Sequence, residues 1–214
     1  MPFPSQELTE RGWIRVEGIR SQAALMDLAK KFGVPTPSPN SKLIGEILVQ
    51  DSFEAKADTL SSSFGRGRFP LHTDTAFWPV PARYLVFRAT GDLRRPTTVL
   101  PINRIPGIFG NKMLEIISRS IWLLKTPSMA TYCSMRFPVG EADVWRYDRQ
   151  CMTPANSAAK EIAEAVDCLS AGLADEIQWR ADNAVVIANW VVLHGRGPEP
   201  ANEAVRNLER IYVR

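Results

Sequence analysis

A chain of 214 residues with 45% apolar and 23% charged side chains can bury a core, and it reads as one domain over residues 1–214. A net charge of +3 without a long basic stripe argues against a nucleic-acid surface, and no segment reaches the roughly 20 apolar residues of a membrane helix. Cys133, Cys151 and Cys168 form neither a disulfide framework nor a metal-ligand cluster, and the start, MPFPSQELTERGW, lacks a signal peptide's apolar run, so a reduced cytoplasmic protein is expected.

In chain order, GWIRVEGI mixes apolar and polar residues as a short strand does. SQAALMDLAKKFG predicts a helix: Ser21 caps it, Ala24, Leu25, Leu28 and Phe32 form its apolar stripe, and Gly33 ends it. The prolines of VPTPSPNS predict irregular chain, KLIGEILVQ a strand or a short helix, and DTLSSSFGRGRFP a loop. ARYLVFRAT and TTVLPI, rich in β-branched and aromatic residues, predict strands separated by the turn-like GDLRRP. GIFGNKMLEIIS predicts a helix with Met113, Ile116 and Ile117 on one side.

TYCSMRF and ADVWRYD read as strands. PANSAAKEIAEAVDCLSAG reads as a helix with Pro154 near its start, Ile162, Val166 and Leu169 in its stripe, and Gly172 as its stop. EIQWR, a single apolar strand through AVVIANWVVL, and NLERIYVR follow, with Asp182 and Asn183 as turn residues. Many short strands with Pro- and Gly-rich turns and few helices predict a mainly β fold with flanking helices, a rolled antiparallel sheet for which the jelly roll is one closed solution. The strand and helix before the first proline run form an N-terminal α/β elaboration.

The chain has two histidines. The first lies in RFPLHTDTAFWP, where His72 and Asp74 at i and i+2 point to one face of an extended backbone. The second, His194, closes the apolar strand and precedes Gly195, where the chain can turn. Brought together, two imidazoles and one carboxylate occupy one face of an octahedral ion and leave the other open, as a non-haem Fe(II) oxygenase needs. Zn(II) accepts the same three ligands, so a zinc-dependent hydrolase or lyase stays open on this reading. So does a non-catalytic jelly-roll module that binds a small acid.

Arginines supply a second signal. Residues 61–100 hold Arg66, Arg68, Arg83, Arg88, Arg94 and Arg95 against Asp74 and Asp92, a concentration that either attracts an anionic small molecule or forms a solvated surface. Arg206 and Arg210, at i and i+4 of a strand-like segment, can face one side and hold a carboxylate bidentately. Thr97 and Thr98 can donate a hydroxyl to the same acid. Phe69, Phe77 and Trp78 flank the histidine motif and form either an aromatic wall or core and lid packing. Arg83, Arg88, Arg146 and Arg210 are candidate anchors for a carboxylate, phosphate or sulfonate, although the alternation of Val144, Arg146 and Asp148 also allows an Arg146–Asp148 ion pair.

FPLHTDTAF, PTTVLPI, DNAVVIANWVVLHGRG and RNLER, in that order, resemble segments of the TauD/TfdA group of Fe(II)- and 2-oxoglutarate-dependent dioxygenases, which includes the clavaminate-synthase-like enzymes. VWRYDRQCMTP is also similar to a segment of clavaminate-synthase-like members. The resemblance spans about residues 69–214 and implies a double-stranded β-helix of the cupin-like kind. It implies that His72, Asp74 and His194 bind iron, that Thr98 or Thr97 touches 2-oxoglutarate, that Arg206 grips its distal carboxylate and that Arg210 points toward substrate. It further implies Fe(II) as cofactor, with 2-oxoglutarate and O2 as co-substrates. The outcome would be hydroxylation, desaturation or cyclisation of a small polar or anionic metabolite, such as an amino-acid derivative in a biosynthetic pathway. Because the carboxylate ligand is retained, the halogenase variant of this chemistry is disfavoured. The interval from Asp74 to His194 is trimmed relative to many members. Neither a nucleic acid nor a membrane is implied as a partner, and the oligomeric state is not legible.

Overall fold

The computed structural model describes residues 6–38, 41–55, 59–91, 93–105, 110, 112–169, 173–198 and 207–214, with the side chains of Asp167 and Leu169 excepted. Helix α1 (Gln6–Arg11), strand β1 (Trp13–Glu17) and helix α2 (Gln22–Lys30) come first, followed by β2 (Pro35–Thr36), β3 (Gly45–Leu48) and the short α3 (Leu60–Phe64). Strands β4 (Tyr84–Ala89) and β5 (Thr97–Pro101) lead through a 3-10 turn at Ile102–Arg104 into α4 (Lys112–Arg119). Strands β6 (Trp122–Thr126), β7 (Met129–Cys133), β8 (Arg136–Val139), β9 (Ala142–Trp145) and β10 (Met152–Pro154) precede α5 (Ser157–Leu169). The chain closes with β11 (Asp175–Ile177), β12 (Asn183–Ala188), β13 (Val192–Arg196) and β14 (Asn207–Val213).

Every strand pair is antiparallel. The large sheet runs β1-β12-β4-β14, with β2 and β3 side by side along the free edge of β14. A smaller sheet, β11-β5-β13, faces it, and the mainly β jelly roll expected from the strand count is the fold. Alternation along each strand sorts the core. Leu85, Phe87, Val185, Ile187, Leu208 and Tyr212 of the large sheet meet Val99, Ile177 and Val192 of the small one between the layers.

The opposite face of the large sheet, with Val86, Val186, Ile211 and Val213, is covered by Leu8 of α1 and by Leu25, Leu28 and Ala29 of α2. The outer face of the small sheet, with Leu100 and Leu193, packs on Met113, Ile116 and Ile117 of α4 and on Ile162 and Val166 of α5. With helices on both outsides, β4, β5 and β12 are buried on both faces, which is why they read as continuous apolar runs. Among the described residues, no helix is long and apolar enough to cross a membrane.

Several local expectations hold: Ser21 Oγ accepts from Ala24 N at 3.1 Å to cap α2. Others need correction. The proline run contains β2, whose Thr36 and Pro35 oppose Tyr212 and Val213, because an edge strand tolerates a missing N–H. DTLSSSFGRGRFP contains α3, nucleated by a capping box in which Thr59 Oγ1 accepts from Ser62 N while Ser62 Oγ accepts from Thr59 N. Pro154 belongs to β10, and Asn156 Oδ1, accepting from Ala159 N at 3.0 Å, caps α5 instead. The expected stop at Gly172 lies outside the described residues. TYCSMRF is split between β7 and β8, and β6 was not anticipated at all.

The correction that matters most concerns AVVIANWVVLHG. It is two strands in two sheets, β12 and β13, joined by a turn at 189–191 in which Val191 N donates to Ala188 O at 3.0 Å. That turn carries the chain from the large sheet to the small one and sets His194 facing into the gap between them.

Candidate metal centre

His72 and His194 are neighbours across a two-residue antiparallel bridge: His72 N donates to His194 O at 2.8 Å, and His194 N donates to His72 O at 2.9 Å. The segment carrying His72 thus extends the small sheet beyond β13. Gly195 permits this approach, since a Cβ there would stand 2.6 Å from Phe69 O and 3.0 Å from Pro70 O. The imidazole rings lie 4.5 Å apart between centroids, and both residues are 5% exposed.

Asp74 turns its carboxylate to both rings. His72 Nε2 is 3.7 Å from Asp74 Oδ1, and His194 Nε2 is 3.7 Å from Asp74 Oδ2. Both separations exceed a normal hydrogen bond, and the three ligand atoms lie within 4.8 Å of one another. His72 Nδ1 is 3.0 Å from the Pro70 carbonyl, which can only accept, so Nδ1 carries the proton and Nε2 keeps a lone pair for an ion. Among the described residues, His194 Nδ1 is buried without a hydrogen-bond partner. Two imidazoles and one carboxylate converging on a common point, none within hydrogen-bond distance of another, make a donor set that fits a divalent transition metal.

Arg210, on the inward face of β14, donates from Nη1 to Asp74 Oδ2 at 2.8 Å and lies 4.3 Å above the Tyr212 ring. Burial alone would raise the Asp74 carboxyl, but the Arg210 guanidinium and the two imidazoles hold it well below the usual carboxylate range. Burial lowers His194, and the neighbouring His72 lowers it further. For His72, burial also pulls down, but the Asp74 carboxylate outweighs it and the net direction is upward. Two rings this close disfavour a double positive charge, so the pair titrates as one coupled unit.

The sequence-predicted residues divide sharply. His72, Asp74, His194 and Arg210 are brought together. Of the two threonines, Thr97 stands opposite Arg196 and shares the inward face with Val99, which opposes His194. Thr98 opposes Gly195 and lies on the reverse face with Leu100, as the strand's two-residue period requires. Arg206 lies outside the described residues.

Three anchors proposed for an anionic substrate are engaged elsewhere. Arg88 pairs with Glu209 at 2.6 Å and donates to Arg20 O, on the helix-covered side of the large sheet. Arg83 is exposed and stacks on Tyr84 and Trp190 at 5.3 and 5.1 Å. Arg146 is buried, donates to Ala76 O, Trp78 O and Pro79 O at 3.2, 3.2 and 2.8 Å, and packs 4.1 Å from the Phe137 ring, so it clamps the loop after Asp74 and makes no ion pair with Asp148.

The aromatic wall is also redistributed. Phe69 lies 3.6 Å beneath the Arg196 guanidinium, and Phe77 packs on the outer cluster with α4 and α5. Trp78 meets Tyr212 edge-on at 5.5 Å and carries Arg214 at 4.6 Å. The arginine-rich stretch serves largely to fix loops: Arg95 donates to Gly67 O at 3.0 Å and Gly197 O at 3.2 Å, and Arg66 to Asp51 at 2.9 Å.

Sequence reasoning missed Phe87, whose ring is 6.3 Å from that of His194, Tyr212 beneath Arg210, and Asn189. Asn189 is fully buried, takes Asp74 N on its Oδ1 and gives its Nδ2 to Asp74 O. The available signal was its position as the one amide inside AVVIANWVVL, an apolar run where a polar residue needs a reason.

No protein-family model matches the chain, and no curated protein matches it. Solved structures do. PvcB from Pseudomonas aeruginosa superposes with a TM-score of 0.68 at 19% identity over 96% of this chain and 77% of that one, and is described as an Fe, alpha-ketoglutarate dependent oxygenase from an isonitrile synthetic pathway. Asparagine oxygenase in complex with Fe(II), 2S,3S-3-hydroxyasparagine and succinate gives a TM-score of 0.74 at 15% identity over 94% and 74%. The non-heme iron oxygenase OrfP in complex with Fe, succinate and (3R,4R)-dihydroxy-L-Arg gives 0.69 at 17% identity over 97% and 78%. The chain therefore has the jelly-roll fold of these iron oxygenases.

Proposed function

We propose that this chain is a non-haem Fe(II)- and 2-oxoglutarate-dependent oxygenase that oxidises a small polar metabolite of the amino-acid class, with hydroxylation as the default outcome. The observation that carries the reading is the meeting of His72, Asp74 and His194 around one point between the sheets, their ligand atoms within 4.8 Å of one another and the two imidazole–carboxylate separations too long for hydrogen bonds. His72, Asp74 and His194 would hold Fe(II), which, with 2-oxoglutarate and O2, supplies the oxidising chemistry. Hydroxylation, desaturation and cyclisation all remain available to that chemistry, and the choice lies with the substrate's placement.

The protein's own residues orient and shield. Pro70 O fixes the tautomer and tilt of His72 through Nδ1. Arg210 keeps Asp74 ionised and presents further N–H groups beside it, its Nε being buried without a partner. We assign Arg210 to an anionic group of the substrate, and Arg206, with Thr97 on the inward face, to the distal carboxylate of 2-oxoglutarate. Phe87, Trp179 and Tyr212 make the surrounding gap apolar. The amino-acid products bound by the asparagine oxygenase and OrfP structures support the substrate class. We take residues 1–214 as one such domain with an N-terminal α/β elaboration, acting in the cytoplasm, where its three free cysteines stay reduced.

The test is anaerobic addition of Fe(II) and then 2-oxoglutarate. A weak visible charge-transfer absorption that needs both, and that Asp74→Ala and His194→Ala abolish, is the result expected. Oxygen consumption and succinate formation across an amino-acid panel, with products gaining one oxygen atom or losing two hydrogens, then identify the substrate. No absorption and no succinate with any member would refute the reading.

A further inference from the structure

We propose that Asn189 is a positioning residue for the metal centre: its carboxamide fixes the backbone of Asp74 so that the carboxylate faces both imidazoles. This rests on the metal-binding role assigned above to His72, Asp74 and His194. Asn189 is 0% exposed and uses both ends of its amide on the segment that follows His72. Oδ1 accepts from Asp74 N at 3.0 Å, while Nδ2 donates to Asp74 O at 3.0 Å and to Ala82 O at 2.8 Å. Its own backbone N donates to Arg83 O at 3.0 Å. One side chain therefore clasps the two ends of the loop from Asp74 to Ala82.

That loop needs holding. Thr75, immediately after the ligand, has φ 57°, a left-handed conformation that is an outlier for a β-branched residue. It is kept there because Thr75 Oγ1 donates to Asp74 O at 2.6 Å and accepts from Ala82 N at 2.8 Å. The Asp74 carbonyl is thus shared between Thr75 and Asn189, and the strained turn and the amide clasp lock the same peptide. Asn189 also sits in the turn between β12 and β13, five residues before His194. The sheet-to-sheet turn that delivers the distal imidazole carries the group that aims the carboxylate, so the two ligand-bearing segments are set by one connection.

The same turn provides its own control. Trp190, next in sequence, donates from Nε1 to Pro81 O at 2.9 Å and ties the far end of the loop without touching Asp74. The experiment is titration of metal-free protein with Co(II), followed by calorimetry and by the visible ligand-field spectrum, on wild type, Asn189→Ala, Asn189→Asp and Trp190→Phe, with a thermal melt of each. Asn189→Asp keeps an acceptor for Asp74 N but sets an anion against two carbonyls, and it serves where the alanine variant is unfolded.

Both Asn189 variants are expected to bind Co(II) about 10- to 100-fold more weakly with an altered spectrum, while Trp190→Phe melts lower but binds within about threefold of wild type. Folded Asn189 variants that bind as wild type does, or a Trp190→Phe variant that loses as much affinity as they do, would overturn the proposal. Failure of wild type itself to bind Co(II) would instead overturn the metal-centre reading beneath it.

Discussion

Arg210 Nη1 donates to Asp74 Oδ2 at 2.8 Å, joining β14 of the large sheet to the loop that follows His72. Both side chains are largely buried, 19% and 13% exposed, and the carboxylate also faces two imidazoles. Asp74 therefore meets a cation whether or not a metal is bound. Because Arg210 Nε has no hydrogen-bond partner among the described residues, the guanidinium can hold Asp74 and a second carboxylate at once.

The two C-terminal arginines should separate kinetically. Loss of one charge-assisted contact corresponds to roughly 10- to 100-fold, so Arg210→Ala should raise the substrate KM by that order and leave the 2-oxoglutarate KM nearly unchanged, whereas Arg206→Ala should do the reverse. Steady-state kinetics with each substrate varied in turn read this directly. Equal effects of one variant on both KM values would dissolve the division of labour.

The metal-free protein should show two opposed acid responses. Asp74 has its carboxyl depressed, against burial, by Arg210 and the imidazoles, so its contribution is complete above the unfolded value of about 3.9 and fades as pH falls through the folded one. Asp148 is pushed up by burial, which makes its ionised form a penalty above its raised value that is relieved as pH falls. Asp74→Asn should thus melt below wild type near neutral pH, with the gap closing in acid. Asp148→Asn, which keeps the oxygen accepting from Gln150 N, should melt above wild type near neutral pH and converge in acid. Thermal melts in chelator across that range decide it, and a gap that widens in acid would contradict either assignment.

Arg146 and Arg83 make a matched pair for stability. Arg146→Ala strips three loop carbonyls of their donor and leaves a buried void. At about 1 to 3 kcal/mol for each buried group left unsatisfied, the loss should reach several kcal/mol. Arg83 is exposed and stacks on two rings, so Arg83→Ala should stay within about 0.5 kcal/mol. Urea unfolding midpoints compare them, and a mild Arg146→Ala phenotype would remove the clamp.

The cysteines should react in a fixed order. Burial pushes the Cys151 thiol up to about 12 and raises that of Cys133 as well, whereas Cys168 is exposed on α5. The thiolate is the nucleophile, so mass-spectrometric timing of iodoacetamide labelling at mildly alkaline pH should find Cys168 modified well before the other two. Early labelling of Cys151 would show that its surroundings open.

What the sequence determined by itself was chemistry that is local in the chain. His72 and Asp74 share a face because they are two residues apart on extended backbone, and Ser21 caps α2 because it stands before an apolar stripe of helical period. The many short strands and their Pro- and Gly-rich turns were enough for the jelly roll, and the scarcity of imidazole marked His194 as the distal partner of His72.

Tertiary structure decided what depends on which surface a side chain meets. Arg88, Arg83, Arg146 and Arg210 look alike in sequence, yet they face respectively the helix-covered side, solvent, the carbonyls of a loop and the metal centre: the sheet assigns the faces of Arg88 on β4 and Arg210 on β14, and the packing of the adjoining loops places Arg83 and Arg146. The apolar run around Asn189 is broken into two strands only because the sheets lie on opposite sides of the gap and the chain must cross between them. Hydrogen-bond partners such as Asp74 and Asn189, 115 residues apart, come into reach through that crossing, and no periodicity in the chain encodes a contact made between layers.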